Sequence, residues 1–171
     1  MRLASFTALV TFGLDQASKL AVVHGMNLIE RGEIDVLPPF LVFRMAWNRG
    51  INFGLFSGES DWSRWVLVAV ALAISAWVWA WVRRDSAGKW AQVSAGLLIG
   101  GALGNVIDRL AYGAVADFHN MSCCGIENPY AFNVADIAIF AGALGLVIFT
   151  GQGQNGGDKP PRPGKPARKT P

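Results

Sequence analysis

The sequence of 171 residues is poor in cysteine, histidine and charge. Its two cysteines, Cys123 and Cys124, are adjacent, and two cysteines do not make a disulfide framework. His24 and His119 stand alone, so no set of cysteines and histidines has metal-ligand spacing. The net charge of +3 is small, and no nucleic-acid partner is predicted. These shortages exclude a disulfide-stabilised scaffold and a Cys/His metal centre.

Familiar catalytic motifs are missing as well. The chain has no G-x-S-x-G nucleophile elbow, no H-E-x-x-H zinc motif and no G-x-x-x-x-G-K phosphate loop. A serine hydrolase of that type, a zinc metallopeptidase and a P-loop nucleotide-binding protein are therefore excluded.

Apolar residues are what the sequence has in abundance. They make up 52% of the chain, with seven Trp, ten Phe and a mean hydropathy of +0.33. A bilayer-spanning helix needs about 20 predominantly apolar residues. Four stretches are long enough, at about 3–23, 62–82, 90–107 and 132–149. The first is not predicted to be a cleaved signal peptide, because Asp15, Gln16 and Lys19 interrupt its apolar run.

The basic residues predict the orientation of these four spans. They concentrate before span one, between spans two and three, and after span four, which puts both termini in the cytoplasm. The loops at about 24–61 and 108–131 then face outward, which for a protein of the bacterial inner membrane is toward the periplasm. The tail at 151–171 is predicted to be disordered and to touch anionic phospholipid headgroups. The basic residues concerned are Arg2, Arg83, Arg84, Lys89, Lys159, Arg162, Lys165, Arg168 and Lys169.

One segment of the first outer loop is typical of a β-strand. Residues 40–47, FLVFRMAW, are aromatic and β-prone, and Pro38 and Pro39 mark a turn before them. The fold class predicted is a mainly α polytopic membrane protein. Its residues 1–150 form four transmembrane helices, with a small extracytoplasmic β-cradle between spans one and two.

Polar residues inside the spans are the candidates for function, because a charge there costs about 2.5–3.5 kcal/mol on insertion scales. Each of three spans carries such residues on one helix face. They are Asp15 with Lys19, Asn105 with Asp108 and Arg109, and Asn133 with Asp136.

Asp117 and Asp136 are predicted to lie at similar depth near the outer interface. Asp117 follows span three by about eight residues, and Asp136 lies about one helical turn into span four. Two close carboxyl groups cannot both ionise easily, so they share a proton. The ionised group can take a proton from water while the protonated group donates to a carbonyl oxygen, as peptide hydrolysis without a covalent intermediate requires.

Structural alternatives stay open for these residues. Asp15 with Lys19, and Asp108 with Arg109, can equally lock helices together. Taken alone, Asp117 reads as an ordinary loop carboxylate, and its importance depends on Asp136. A proton-coupled carrier and a non-enzymatic assembly factor are rival functions. The four helical glycines Gly96, Gly100, Gly101 and Gly104 are predicted to be close-packing positions between spans.

The chain up to about residue 149 resembles the bacterial lipoprotein signal peptidases (signal peptidase II). Five motifs occur in the family's order: D-Q-x-x-K at 15–19, N-x-G-x-x-F at 48–53, G-G-x-x-G-N-x-x-D-R at 100–109, V-x-D-F at 115–118 and F-N-x-A-D at 132–136. Ile51 and Asn52 depart from the pattern, standing where many members carry small residues.

The resemblance implies an intramembrane aspartic endopeptidase with Asp117 and Asp136 as the catalytic dyad. The reaction implied is removal of the signal peptide from a prolipoprotein by cleavage before its diacylglyceryl-modified cysteine. The resemblance implies no metal or cofactor. It does imply an outer β-cradle and sensitivity to globomycin-type inhibitors. Supporting or substrate-contacting roles are implied for Asp15, Lys19, Asn48, Gly50, Asn105, Arg109, Asn133 and Ala135.

Overall fold

A computed structural model of the chain describes residues 1–38, 40–50, 62–84, 87–123 and 128–151. The predictions made for Ile51, Asn52 and the tail after residue 151 fall outside these ranges, as does Cys124.

Helices make up most of the described chain. The first, α1, is followed without a break by a six-residue π-helical segment at Leu20–Gly25. Helices α3 and α4 are long and apolar enough to cross a membrane, and α5 is a shorter apolar helix. The helices are α1 (Arg2–Lys19), α2 (Leu28–Arg31), α3 (Trp62–Arg84), α4 (Lys89–Tyr112) and α5 (Val134–Gly151).

Helix α4 lies at the centre of the helical part and contacts α1, α3 and α5. Its glycines permit this. A Cβ added at Gly100 would lie 2.5 Å from the carbonyl oxygen of Ala8 in α1, and one at Gly101 would lie 2.5 Å from that of Ala135 in α5. Because the atom that the Cβ would meet belongs to the backbone of the neighbouring helix in both cases, any larger residue would push the helices apart. The prediction that the α4 glycines are close-packing positions is confirmed.

Three antiparallel strands form one small sheet in the order β1-β2-β3. They are β1 (Glu33–Leu37), β2 (Leu41–Asn48) and β3 (Val115–Asn120). Strand β2 agrees with the predicted segment within one residue. Strand β3 was missed: the sheet was expected between spans one and two alone, but its third strand follows α4. A polar six-residue strand gives little sequence signal, and its pairing with β2 creates it.

The sheet rests on the end of the first helix. Val22 and Val23 of the π-helical segment and Leu28 of α2 pack against Ala116 and Phe118 of β3. Side chains alternate between the faces of a strand, so Asp117 projects from the opposite face of β3. This packing fixes the strand that carries Asp117 relative to α1.

Candidate active site

Asp117 and Asp136 are brought together by β3 and the first turn of α5. Asn133 joins them: its side-chain Nδ2 donates to Asp117 Oδ1 at 2.6 Å, and its Oδ1 accepts from the backbone N–H of Asp136 at 2.9 Å. Asn133 is fully buried and Asp117 is only 3% exposed, whereas Asp136 is half-buried. One aspartate is therefore shielded and the other stands at the edge of the site.

Asn133 caps α5 in a way that also orients Asp136. The backbone N–H of Asn133 donates to Asp136 Oδ2 at 3.2 Å, which completes a reciprocal capping box with Asp136 in the third helical position. An acidic side chain in the first turn is further stabilised by the helix dipole. The hydrogen bonds between Asn133 and Asp136 therefore both begin helix α5 and orient the Asp136 carboxylate.

Two more asparagines complete the hydrogen bonding of the carboxylates. Asn48 of β2 donates to Asp117 Oδ2 at 3.0 Å, and Asn105 of α4 donates to Asp136 Oδ1 at 2.9 Å. The Oδ1 of Asn48 accepts from the backbone N–H of Gly50 at 2.9 Å, which turns its Nδ2 toward Asp117. Gly50 has a φ of +93°, which a residue with a Cβ rarely adopts.

The environment of Asp117 raises its pKa from 3.8 to about 6. Burial is the largest cause, since it disfavours the charged form, and the nearby carboxylate of Asp136 adds to it. The hydrogen bonds from Asn48 and Asn133 and the charge of Lys19 act in the opposite direction. A pKa of about 6 allows this carboxyl group to exchange a proton near neutral pH.

A buried charge cluster lies behind the two aspartates. The ammonium group of Lys19 is 2.8 Å from Asp15 Oδ2 and 2.7 Å from Asp108 Oδ2. Gln16 donates to the same two carboxylates, at 3.1 Å and 3.2 Å. All three charged residues are less than 10% exposed, so the two ion pairs are desolvated and satisfied within the protein.

Each carboxylate of this cluster holds the backbone just before one of the two site aspartates. Asp108 Oδ2 accepts from the N–H of Ala116 at 3.2 Å, and Asp15 Oδ1 accepts from the N–H of Ala135 at 3.0 Å. Because Lys19 binds both carboxylates, one ammonium group ties together the chain segments that carry Asp117 and Asp136. Gly104 lies against the Asp15 carboxylate, where a Cβ would clash with it.

Arg109 adds a positive charge near the pair. Its Nη1 donates to the carbonyl oxygen of Asn105 at 3.3 Å, and its buried Nε makes no hydrogen bond within the part of the chain described. The carboxylates of Asp117, Asp136 and Asp108 lie within electrostatic range of the guanidinium.

Similarity to known proteins decides the family. The family model for signal peptidase (SPase) II matches residues 7–151. The chain belongs to the signal peptidase II family. A lipoprotein signal peptidase of Methylorubrum extorquens (strain PA1) is 47% identical over 140 residues, which cover 82% of this chain and 80% of that one. Another, from Rhodopseudomonas palustris (strain ATCC BAA-98 / CGA009), is 41% identical over 150 residues, covering 86% and 90%.

Solved structures agree with signal peptidase II membership. A bacterial membrane enzyme determined by the in meso method at 2.3 Å resolution matches with a TM-score of 0.73 and 26% identity, covering 95% of this chain and 96% of its own. A second such structure, at 1.9 Å resolution, gives the same TM-score at 27% identity. The resemblance drawn from the five motifs is confirmed, and the family is one of bacterial membrane peptidases.

All ten residues predicted for a signal peptidase II site fall in this one region. Sequence reasoning gave no role to Gln16, and for Asp108 it kept a functional role and a role in locking helices together as alternatives. The signal for Asp108 was present, since it is a charge near a span end, but its contact with Ala116 depends on the unrecognised strand β3. The ten predicted residues are Asp15, Lys19, Asn48, Gly50, Asn105, Arg109, Asp117, Asn133, Ala135 and Asp136.

Proposed function

We propose that the chain is an intramembrane aspartic endopeptidase that removes the signal peptide from prolipoproteins. Cleavage is before the diacylglyceryl-modified cysteine, and Asp117 and Asp136 form the catalytic dyad. The observation that supports this most directly is the Asn133 side chain, which hydrogen-bonds to the carboxylate of Asp117 and to the backbone N–H of Asp136. The two carboxylates lie close enough for the charge of Asp136 to raise the pKa of Asp117. Family membership supports the substrate class, since the relatives are named for lipoprotein signal peptides.

The difference in burial and the raised pKa of Asp117 suggest a different role for each of the two carboxyl groups. Asp117, shielded and with its pKa raised to about 6, holds the shared proton in the free enzyme. Asp136 is half-buried and, as the more exposed of the two, is the partner proposed to meet the attacking water. Coupled groups of this kind titrate as a pair, so the active form is the singly protonated dyad.

Hydrolysis then follows without a covalent intermediate. Asp136 takes a proton from a water molecule whose oxygen attacks the scissile carbonyl carbon, while Asp117 donates its proton to the carbonyl oxygen. When the tetrahedral intermediate collapses, Asp136 returns its proton to the leaving cysteine amine. One hydroxyl proton of the intermediate goes back to Asp117, which restores the dyad.

The substrate lies in a bilayer, and the proposed topology brings it to the dyad. Helix α1 with its π-helical extension, α3, α4 and α5 form four spans with both termini in the cytoplasm. Arg83 and Arg84 end α3 and Lys89 begins α4, so this short loop lies on the cytoplasmic side. The sheet and the dyad stand at the opposite, periplasmic ends of α4 and α5, where an acyl-anchored peptide presents its scissile bond.

Several finer parts of the proposal concern the remaining residues. Arg109 balances the charge of the dyad or binds a phospholipid headgroup phosphate. Residues 1–150 form the peptidase domain, and the basic tail at 151–171 lies on anionic phospholipid at the cytoplasmic face. Globomycin-type inhibitors are expected to bind at the dyad.

Cleavage of a lipidated prolipoprotein by the purified full chain tests the proposal. Asp117→Asn and Asp136→Asn should each lower kcat by about 10³-fold or more, because each removes a proton-transfer group. Asp35→Asn, in the exposed strand β1, is the matched control and should cleave like the wild type. Wild-type cleavage by either dyad variant contradicts the dyad, and no cleavage by the wild type contradicts the peptidase activity.

A further inference from the structure

The chain around Asp117 is joined to the chain around Asp136 by a short backbone bridge. The N–H groups of Phe118 and His119 donate to the carbonyl oxygen of Phe132, at 3.1 Å and 2.8 Å. The N–H of Phe132 donates back to the carbonyl oxygen of His119 at 3.1 Å. Phe132 directly precedes the cap of α5, and His119 lies two residues after Asp117, so the geometry of this bridge bears on the separation of the two aspartates.

An aromatic stack covers the bridge. The His119 ring lies on the Phe132 ring with centroids 5.6 Å apart and planes 18° from parallel. Phe118 lies 4.5 Å from the same imidazole, and Phe43 of β2 meets it edge-on at 5.5 Å. Stacked and edge-on rings at such separations attract one another beyond their burial of apolar area. The imidazole therefore contacts the ring of its neighbour on β3 and rings from two other segments of the chain, Phe43 and Phe132.

His119 packs in this stack through its ring. Its Nδ1 is buried and has no hydrogen-bond partner within the described ranges. Burial lowers the pKa of the imidazole below its usual value of 6.5, although the nearby carbonyl of Phe132 favours the charged form. The ring is consequently neutral at neutral pH, the state that packs best among apolar rings.

We propose that His119 is a positioning residue whose stacked ring holds β3 against Phe132 and thereby sets the separation of Asp117 and Asp136. The proposal rests on the catalytic dyad proposed above. His119 and Asp117 are two residues apart on β3 and so share a face of the strand. Without the ring, the bridge loosens, water reaches Asp117 and the distance to Asp136 grows.

The pH dependence of cleavage distinguishes a positioning role of His119 from a purely structural one, because a purely structural role would leave the pH profile unchanged. Among the residues that the structure describes, the charged groups that interact electrostatically with Asp117 are Asp136 from α5, Lys19 from α1 and Arg109 from α4. Better hydration and a more distant Asp136 both lower the pKa of Asp117, because these are the two causes that raise it. Loosening the bridge should therefore move the alkaline limb of the kcat/KM profile to lower pH.

The experiment compares His119→Ala with the matched control His119→Phe, using the full chain and a lipidated prolipoprotein. His119→Ala should lower kcat by about 10- to 100-fold, since a misplacement of reacting groups by about 1 Å can cost about 10²-fold. KM should change little, and the alkaline limb should move to lower pH. His119→Phe keeps a ring in the stack and should retain the wild-type kcat and limb. Phe132→Leu removes the facing ring and should repeat the effect of His119→Ala, which provides a second route if that variant does not fold.

A wild-type kcat and limb in His119→Ala would overturn the proposal, as would His119→Phe that is as impaired as His119→Ala. Asp117→Asn, assayed alongside, separates the two levels of inference. Full activity in Asp117→Asn contradicts the dyad itself. An inactive Asp117→Asn with an unchanged limb in both His119→Ala and Phe132→Leu contradicts only the role of His119.

Discussion

Two pairs of carboxylates lie close together in the structure, and they differ in whether a cation bridges them. Asp15 and Asp108 share the ammonium group of Lys19, which is within 2.8 Å of both. Asp117 and Asp136 share only neutral amide donors, and neither takes part in a salt bridge with any residue that the structure describes. The first pair is charge-compensated, while the second keeps its mutual repulsion.

The difference assigns the two pairs to different tasks. Asp15 accepts from the N–H of Ala135 through the oxygen that does not meet Lys19, whereas Asp108 accepts from the N–H of Ala116 through the oxygen that does. A pair of carboxyl groups that forms no salt bridge can retain a proton that moves, which acid–base chemistry requires. Asp15 and Asp108 therefore hold the backbone that precedes the two aspartates proposed as the dyad.

Removal of the shared cation should produce the largest change in stability. Lys19→Met leaves two carboxylates that are at most 1% exposed without their counter-charge. Breaking a buried ion pair in this way costs about 3–5 kcal/mol. The free energy of unfolding in detergent would measure it, with Lys89→Met at the exposed start of α4 as the control. Equal stability of the two variants would mean that Lys19 does not hold the cluster together.

The same substitution in the two pairs should change stability in opposite directions. Asp108→Asn weakens the Lys19 ion pair and the bond to Ala116, and should lower the free energy of unfolding by about 1–3 kcal/mol. Asp117→Asn removes repulsion from Asp136 and should raise it at neutral pH, as replacing a strained functional group commonly does.

The sign of the Asp117→Asn effect should depend on pH. The folded-state pKa of Asp117, about 6, is above its unfolded value of 3.8, so its contribution favours the fold at low pH and is lost as pH rises through 6. The stabilisation by Asp117→Asn should thus be present at about pH 7.5 and absent near pH 4. Destabilisation at both pH values would remove the distinction between the pairs.

The smallest predicted effect concerns the amide donors of the dyad. The alkaline limb of the wild-type kcat/KM profile should lie near pH 6, where the singly protonated dyad loses its proton. The hydrogen bond from Asn48 lowers the pKa of Asp117, so Asn48→Ala should move this limb to higher pH by less than about one unit. A shift to lower pH would show that Asn48 acts on the dyad in some other way.

The helices could be predicted from their apolar stretches, and Asp136 stood out because charge within apolar sequence is a strong signal. Asp117, a loop carboxylate, was selected only as the partner of Asp136. Asp136 and Lys19 are conspicuous in the apolar stretches that became α5 and α1. Strand β2 was visible because its segment is aromatic and β-prone.

Strand β3 and the contacts that depend on it were not visible in the sequence. The pairing of Asp117 with Ala46 in β2 is a long-range contact. Ala135 contributes a backbone N–H, which every residue type except proline possesses. Its place in the site came from the family resemblance alone, and that of His119 depends on rings brought in by the fold.

Titration of Asp117 in the presence and absence of Asp136 tests the central claim most directly. With ¹³C-labelled aspartate, the Asp117 carboxyl resonance, assigned by its loss in Asp117→Asn, should titrate with an apparent pKa near 6 in the wild type. In Asp136→Asn the pKa should fall, because the second carboxylate no longer repels the charged form, whereas in the Asp35→Asn control it should not change. An Asp117 pKa that is the same in Asp136→Asn as in the wild type would mean that the two aspartates are not coupled and do not share a proton.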